Sequence, residues 1–219
     1  MMKVNLLVGG PVTDWPQDLK QRLAQKNADE VWVGADYGAV RLVKAGIRPV
    51  LAVGDFDSSS PSEIQLVKEH AVKSIIRPKK EDITDTMLAL RCIFQELEFD
   101  QIVIYGATGA RLDQFLSNLF FVLMSEFKPY CEKIELIDRW NHISFYLPGK
   151  HRLEKLPDTA YLAFVCLNAV TDLHLYDAKY KLDGVDFTEP ISLSSNEFVG
   201  NSTSFSFTSG VLCVIQSHD

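Results

Sequence analysis

The sequence predicts an α/β fold, in which a parallel-sheet domain over residues 1–140 precedes an antiparallel β-sandwich domain over residues 141–219. In the first range, short apolar runs alternate with segments whose apolar residues recur at helical spacing, which is typical of a parallel sheet flanked by helices. In the second range only short β-prone segments remain, separated by turn pairs such as Asp183 with Gly184. The chain has 219 residues, 47% of them hydrophobic, so it can bury a core in each part.

The elements of the first domain follow from apolar runs, helical spacing and breaking residues. The predicted strands are residues 3–8, 31–34, 50–53, 72–76, 101–105 and 133–137. The predicted helices are residues 17–26, a short helix with Val40, Leu42 and Val43 buried, 63–69, a helix capped by Thr84 with Asp85 in its first turn, and 112 to about 127. The last is strongly apolar, through Phe115, Leu116, Leu119, Phe120 and Leu123, and is expected to be largely buried.

The β-prone segments of the second domain are short and follow one another closely. They are residues 143–147, 161–167, 172–175, 180–182, 191–193, 203–207 and 211–215. Strands this short, joined by turns and without helices between them, favour an antiparallel arrangement.

Two acidic residues stand where the third strand ends. In the stretch V-L-A-V-G-D-F-D-S-S-S-P, Asp55 and Asp57 follow the strand, and Ser60, Pro61 and Glu63 have the pattern of a capped helix start. An i, i+2 pair leaving a strand points both carboxylates to one side. Ligands of α/β proteins bind at the carboxyl ends of strands, so this pair is a candidate binding site.

Further carboxylates are predicted at the same edge of the sheet. The full set is Asp36, Asp55, Asp57, Asp82, Asp85 and Asp113. Asp36 taken alone is better explained as a helix cap than as a ligand. As a group, the acids would repel one another unless a cation neutralised them, and hard oxygen ligands favour Mg²⁺, which shares its coordination shell with substrate phosphates.

Basic residues accompany these acids. Lys79 and Lys80 precede Asp82, and Arg111 lies in a glycine-rich turn just before Asp113. Arg111 in this position could grip a phosphate through two hydrogen bonds, or could form an ordinary surface pair with Asp113. The residues alone leave both alternatives open.

Composition and missing motifs exclude several other classes of protein. The net charge of −7 makes nucleic acid and anionic membranes improbable partners. The sequence contains neither a P-loop nor a G-x-G-x-x-G motif, and no Ser–His–Asp or Cys–His arrangement stands out. The four cysteines are scattered and the N-terminus has no cleavage-site pattern, so we expect a cytoplasmic protein with reduced thiols.

Five segments give the chain a specific resemblance. These are A-D-Y-G-A with G-I-R-P-V-L-A-V-G-D-F-D-S, E-D-I-T-D-T-M-L-A-L, G-A-T-G-A-R-L-D-Q-F-L-S-N, S-S-N-E-F, and S-G-V-L-C-V-I near the C-terminus. Over nearly its whole length the sequence resembles the thiamine pyrophosphokinase family, which makes thiamine diphosphate from thiamine and ATP. The resemblance implies a nucleotide-binding α/β domain, a thiamine-binding β-sandwich domain, and a homodimer whose sites lie at the subunit interface.

The resemblance also implies roles for individual residues. Asp55, Asp57 and Asp85 would hold Mg²⁺ on ATP, Arg111 would bind phosphate, and Asp113 would belong to the catalytic residues. The residues expected to contact the nucleotide are Asp36, Ser58, Lys80, Asp82, Thr84, Gly106, Thr108 and Gly109. Those expected to contact thiamine are Gln114, Asn118, Ser195 and Asn196, the last two from the other subunit.

Three positions depart from the family pattern. Glu81 stands where many relatives have lysine, so either Lys79 or Lys80 is the residue that reaches phosphate. Gln114 replaces a histidine and keeps the capacity to donate and accept hydrogen bonds. Ala110 replaces a glycine, which predicts an ordinary backbone angle there.

Two other functions are compatible with the same acids. One is an Mg²⁺-dependent transferase or hydrolase that acts on another nucleotide or heterocyclic alcohol. The other is a non-catalytic nucleotide- or thiamine-binding module, in which the phosphate-handling residues would be expected to have decayed. The retained Asp55, Asp57 and Arg111 argue against the second alternative.

Overall fold

A computed structural model describes residues 2–25, 27, 29–77 and 83–219 and divides the chain into two compact units. The first unit comprises Met1–Phe121 and Leu136–Arg139, and the second comprises Val122–Glu135 and Trp140–Asp219. The predicted α/β fold followed by antiparallel strands is confirmed. All four cysteines are free thiols, as predicted, and all four are buried. Among the described residues, every helix is too short or too polar to cross a membrane.

The first unit is built on five parallel strands. They are β1 (Lys3–Leu7), β2 (Val31–Ala35), β3 (Leu51–Gly54), β4 (Lys73–Ile76) and β5 (Gln101–Tyr105). The helices are α1 (Leu19–Gln25), α2 (Tyr37–Lys44), α3 (Pro61–His70), α4 (Asp85–Glu96) and α5 (Leu112–Phe120). The strand order is β5–β1–β2–β3–β4, so the chain runs to one side of β1 first and returns to its other side with β5.

Apolar side chains cover both faces of this sheet. One cluster contains Leu7, Trp32, Leu42 and Tyr105. A second cluster contains Ala39, Val40, Val67 and Phe56. Strands buried on both faces explain why β1, β2, β3 and β5 are nearly continuous apolar runs in the sequence.

Helix α5 differs from its prediction in both length and burial. It ends at Phe120, and short 3₁₀ turns follow at Phe121–Leu123 and Lys128–Lys133. Leu112, Leu116 and Phe120 are 74%, 45% and 43% exposed, and Asn118 is the buried residue of the helix. The prediction of a largely buried helix was wrong. An apolar helix face indicates contact with another surface, but the sequence does not show whether that surface belongs to the same chain or to another molecule.

The second unit consists of antiparallel strands in two layers. The strands are β6 (Ile134–Ile137), which contributes residues to both units, β7 (Asn141–Tyr146), β8 (Gly149–Glu154), β9 (Tyr161–Cys166), β10 (Val170–Leu175), β11 (Leu182–Phe187), β12 (Ile191–Asn196), β13 (Ser202–Phe207) and β14 (Leu212–Ser217). One layer has the order β12–β9–β14–β7 and the other has the order β11–β10–β13–β8. The predicted turn at Asp183 and Gly184 was wrong, because both residues lie inside β11, where Gly184 has a φ of 66° and the pairing with β10 is irregular. Phe164 and Leu212 of the first layer pack in one core with Leu173 and Phe205 of the second, which makes this unit a sandwich.

Candidate active site

A cavity of about 680 Å³ opens at the carboxyl ends of the parallel strands. Its lining, among the described residues, comes from the first unit: the loops after all five parallel strands, Arg41 of α2, and the N-terminal parts of α4 and α5. The chain leaves β1 toward β2 on one side and returns to β5 on the other, so the cavity lies beside the point where the strand order reverses. Open α/β sheets bind their ligands at such a point.

The loop that carries Asp55 and Asp57 is anchored by the residue between them. Phe56 is 1% exposed, packs in the cluster with Val40 and Val67, and has a φ of 56°. A left-handed backbone angle is costly for a residue with a side chain, and burial of the ring offsets that cost. The ring therefore points into the core while the two flanking acids line the cavity.

Local hydrogen bonds hold the same loop. The Asp57 N–H donates to Asp55 Oδ1 (3.1 Å), and Ser58 Oγ donates to Asp57 Oδ1 (3.0 Å). Helix α3 then begins with the predicted capping box, in which the Glu63 N–H donates to Ser60 Oγ and the Ser60 N–H donates to the Glu63 carboxylate. The loop thus has fixed attachments at both of its ends.

Three carboxylates come together at the ends of β2 and β3. Single oxygens of Asp36, Asp55 and Asp57 lie within 4.8 Å of one another. Asp36 stands at the N-cap position of α2, as predicted for it taken alone, but it has a φ of 48° and its side chain makes no capping hydrogen bond. Three carboxylate oxygens at this spacing are a donor set that fits a hard divalent cation.

Asp85 adds a fourth carboxylate beside this group. Thr84 caps α4 through the Met87 N–H (3.4 Å), as predicted, and this places Asp85 in the first turn. Burial, followed by the charges of Asp55 and Asp36, raises the pKa of Asp85 to about 6. A hydrogen bond from the Asp55 backbone opposes that rise.

Gly54 permits the close approach of these acids. A Cβ atom at Gly54 would lie 3.1 Å from the Cα of Asp36 and 3.3 Å from Oδ1 of Asp85. The residue also has a φ of 149°, which side chains rarely adopt. The glycine of the G-D-F-D-S segment therefore has a steric role in assembling the four carboxylates.

Two glycine-containing loops form another wall of the cavity. The Gly10 N–H donates to the Gly106 carbonyl (2.9 Å), and a Cβ atom on Gly10 would lie 2.1 Å from that oxygen. Gly106 and Gly109 have φ angles of 74° and 83°. The loops after β1 and β5 are thus in backbone contact at the point where the strand order reverses.

Two buried polar side chains fix the turn after β5. Thr108 Oγ1 donates to Asp138 Oδ2 (2.7 Å), and Asn118 Nδ2 donates to the Ala107 carbonyl (2.8 Å). Asp138 and Asn118 are 8% and 4% exposed. Asn118, predicted to contact thiamine, lines the cavity, and that role stays a prediction. Sequence reasoning missed Asp138, because a single acid after β6 gives no signal of its contact with a loop 30 residues earlier.

Ala110 has a φ of 49° rather than the ordinary angle that its replacement of a glycine predicted. Because it follows the left-handed Gly109 in the same turn, the turn requires two successive left-handed residues. The alanine adopts the angle at an energetic cost that a glycine would not incur. The geometry of the turn therefore outweighs the preference of this residue.

Arg111 and Asp113 lie at the start of α5 and form a surface pair. Nε of Arg111 donates to Oδ1 of Asp113 (3.2 Å), and Nη2 donates to Oδ2. Both side chains are exposed, at 71% and 64%. The hydrogen bonds from Arg111 lower the pKa of Asp113. Of the two alternatives for Arg111, the structure contains the surface pair with Asp113. Arg111 and Gln114 nevertheless line the cavity, so Arg111 stays a candidate site residue.

Ser195 and Asn196 belong to the second unit, at the end of β12. Ser195 has a φ of 60°. Asn196 is buried, and its Oδ1 accepts from the Tyr180 N–H (3.0 Å) and the Glu197 N–H (2.9 Å), while Nδ2 donates to the Tyr180 carbonyl (2.9 Å). Asn196 thus ties two loops of its own unit together, and its contact with thiamine stays a prediction.

Lys79, Lys80, Glu81 and Asp82 lie outside the described residues. Their expected roles in binding the nucleotide stay predictions.

Arg41 lines the cavity but was not among the predicted residues. Its Nη1 donates to the Gly10 carbonyl (2.6 Å), and its guanidinium carbon lies 5.1 Å from the ring centre of Tyr37 and 5.5 Å from that of Trp15. The pairing of Tyr37 with Arg41, four residues apart on a predicted helix, is the one signal that the sequence offered.

Two family models match the chain. One is described as "Thiamin pyrophosphokinase, catalytic domain" and matches residues 23–134, and the other is described as "Thiamin pyrophosphokinase, vitamin B1 binding domain" and matches residues 150–212. Apart from the loop after β1, every residue that lines the cavity falls in the first of these ranges.

Individual relatives are similar along their whole length. The thiamine pyrophosphokinase of Bacillus subtilis (strain 168) is 35% identical over 221 residues, which cover 100% of each chain. The crystal structure of a protein from Lactobacillus plantarum has a TM-score of 0.89 at 48% identity and covers 100% of each chain. A thiamin pyrophosphokinase family protein from Enterococcus faecalis has a TM-score of 0.87 at 39% identity, with 99% of each chain covered.

Proposed function

The chain belongs to the thiamine pyrophosphokinase family, and we propose that it transfers the pyrophosphoryl group of ATP to the hydroxyl of thiamine, giving thiamine diphosphate and AMP. The observation that supports this most directly is the group of carboxylates from Asp36, Asp55 and Asp57 at the edge of a large cavity. A polyphosphate can approach such a group only through a cation that both can coordinate.

We propose that the cation is Mg²⁺ and that Asp36, Asp55 and Asp57 hold it. The fit rests on the donors, since all three offer hard oxygen atoms within 4.8 Å of one another. When bound, Mg²⁺ would neutralise charge on the phosphate oxygens of ATP. Asp85, predicted from the family resemblance as a metal ligand, lies beside these three residues, and we propose that it accepts the proton of the thiamine hydroxyl.

In the proposed reaction, the hydroxyl oxygen of thiamine forms a bond to the β-phosphorus of ATP. The bond from that phosphorus to the oxygen that bridges to the α-phosphorus breaks, and AMP leaves with this oxygen. The hydroxyl proton passes to a carboxylate. Asp85 suits this role because it lines the cavity beside the proposed metal ligands, whereas Asp113 is exposed and hydrogen-bonded to Arg111.

The remaining predicted residues are proposed to bind and orient the substrates. Gly106, Thr108 and Gly109 would contact phosphate through the turn that Asp138 and Asn118 hold. Arg111 lies at the mouth of the same cavity, where it could exchange its pairing with Asp113 for a phosphate. We propose that residues 1–140 form the catalytic domain and that residues 141–219 form the thiamine-binding domain. We also propose that the enzyme is cytoplasmic, because free thiols are typical of a reducing compartment.

We propose that the enzyme is a homodimer. Leu112, Leu116 and Phe120 recur every four residues on one face of α5, and all three are exposed. Contiguous apolar faces of this kind are typical of protein interfaces, and two-fold homodimers are the commonest assembly. Because α5 begins beside the cavity, pairing of this face would bring a second copy close to the site.

The experiment that tests the proposed reaction is incubation with ATP, Mg²⁺ and thiamine, followed by separation of the nucleotides. We expect AMP to form in a one-to-one ratio with thiamine diphosphate. ADP as the product would instead indicate an ordinary kinase, and turnover with other heterocyclic alcohols but not with thiamine would favour the alternative transferase. The Asp57→Asn variant should lose activity while keeping its fold, and near-normal turnover would contradict the metal role of Asp57.

A further inference from the structure

The proposed function leaves a charge problem in the cavity. Asp36, Asp55, Asp57 and Asp85 contribute negative charge, and the phosphates of ATP would add more. Arg111, the arginine expected from the sequence to bind phosphate, is exposed and already hydrogen-bonded to Asp113. Because Arg111 is exposed, solvent and salt screen its charge and weaken its attraction for an anion. Arg77 also lines the cavity but is exposed in the same way, so a less exposed cation in the lining would compensate the added charge more effectively.

Arg41 is a cation in that position. It lies on α2, the helix that follows Asp36, and it lines the cavity. Burial lowers the pKa of its guanidinium, and its surroundings among the described residues are two aromatic rings and a carbonyl rather than a carboxylate. A half-buried cation with such neighbours is desolvated without full compensation, so a bound anion would be strongly favoured.

The orientation of Arg41 is fixed before any ligand binds. The rings of Tyr37 and Trp15 lie near its guanidinium, and Nη1 donates to the Gly10 carbonyl. A guanidinium has five N–H donors in one plane. Among the described residues, the contact with Gly10 is the hydrogen bond that the Arg41 side chain makes, so other donors along its edge remain available to a ligand.

We propose that Arg41 binds a phosphate group of the nucleotide, held in place for that contact by Tyr37, Trp15 and the Gly10 carbonyl. This inference rests on the proposed function, since it requires a nucleotide in the cavity. Its location supports it, because Gly10 contacts Gly106 where the strand order reverses, which is where phosphates bind in α/β sheets. Arg41 is therefore assigned two roles: it binds substrate, and its hydrogen bond to the Gly10 carbonyl supports the wall of the cavity.

A purely structural role for Arg41 predicts different behaviour from phosphate binding. If Arg41 only holds Gly10, its loss should weaken every ligand of the cavity, whether or not the ligand carries phosphate. The Arg41→Gln variant removes the charge, and comparing a ligand that carries phosphate with one that does not separates the two roles, because loss of the Gly10 contact alone would weaken both ligands. Lys44→Gln is the matched control. Lys44 lies on the same helix near Tyr37, but it pairs with Glu63 and does not line this cavity.

The test is calorimetric titration of the full-length protein with ATP, AMP and adenosine, in MgCl₂ and without thiamine. We expect Arg41→Gln to bind ATP about 10-fold or more weakly than the wild type, as for the loss of a charged hydrogen bond. Adenosine should bind both proteins within about twofold, and Lys44→Gln should match the wild type, because its charge is exposed and screened. Thermal melting of each variant shows whether it is folded.

Several outcomes would overturn the inference. It fails if Arg41→Gln binds ATP as the wild type does, or if its affinity for adenosine falls as far as its affinity for ATP. If Arg41→Gln does not fold, Arg41→Lys replaces it. A lysine keeps the charge as a single point donor, so its loss of ATP affinity should be smaller and adenosine should again be unaffected. If the wild-type protein binds no nucleotide, the proposed function is overturned as well. If the wild-type enzyme is active and the Arg41 variant binds ATP with the same affinity, only the proposed role of Arg41 is overturned.

Discussion

Replacing Asp85 with asparagine should stabilise the metal-free protein while it abolishes turnover. Asp85 is surrounded by Asp36, Asp55 and Asp57, and its burial together with their charges raises its pKa from 3.8 to about 6. An acid with a raised pKa in the folded state makes folding less favourable whenever it is ionised. The asparagine side chain has nearly the same shape as aspartate without the charge, so the Asp85→Asn variant should lack this penalty.

The size of the effect follows from the pKa values. A shift from 3.8 to about 6 corresponds to roughly 3 kcal/mol at about 1.36 kcal/mol per unit. Because Asp85 is only about half buried, solvent screening reduces this to about 1–2 kcal/mol. The contribution of Asp85 to stability is greatest below pH 4 and is lost as the pH rises through about 6, where the folded protein releases the proton.

Urea denaturation in the presence of a chelator measures this prediction. At pH 8 we expect Asp85→Asn to be more stable than the wild type by about 1–2 kcal/mol, and at pH 4.5 the difference should largely disappear. Asp113→Asn is the matched control. Asp113 is exposed and its pKa is lowered by Arg111, so the same chemical change there should give no gain. A destabilised Asp85→Asn protein at pH 8, or a gain that does not depend on pH, would refute the reasoning.

Three further predictions concern the loops and α5. Gly10→Ala should lower the melting temperature and the rate of AMP formation, because its Cβ would lie 2.1 Å from the Gly106 carbonyl oxygen. Gly9→Ala is the control and should fold normally, because no atom lies within 4 Å of its Cβ. Equal effects of the two substitutions would contradict the steric argument. Ala110→Gly should gain up to about 1 kcal/mol in urea denaturation by relieving a left-handed alanine, and a loss would show that the turn stores no strain. Leu116→Asp should yield monomers in light scattering without a large loss of stability, and an unchanged mass would contradict pairing through α5.

Sequence reasoning worked best where local rules and the fold agree. The alternation of apolar runs and helices brought Asp55, Asp57 and Asp85 to one edge of a parallel sheet, and the caps at Ser60 and Thr84 were correctly identified. These predictions depend only on the direction of parallel strands and on hydrogen bonds within four residues.

Other features depend on contacts that single positions do not reveal. Strand β8, G-K-H-R-L-E, was missed because its side chains are mostly polar and it lies at the edge of its layer. The angle of Ala110 is set by the turn as a whole rather than by alanine. Arg41 donates to the carbonyl of Gly10, 31 residues earlier in the chain, and its guanidinium lies over the ring of Trp15. Contacts between such distant segments leave no local pattern in the sequence.

The buried ring of Phe56 has a consequence for which ion the site prefers. Two of the proposed ligands, Asp55 and Asp57, are attached to either side of a residue that packs against Val40 and Val67. Mg²⁺ requires short, nearly ideal octahedral distances, whereas larger cations such as Ca²⁺ accept longer and more irregular ones. The separation of these carboxylates is set by how deeply the ring sits. Substitutions that change the volume at Val67, a residue that never touches the ion, would therefore alter the discrimination between small and large divalent cations from inside the core.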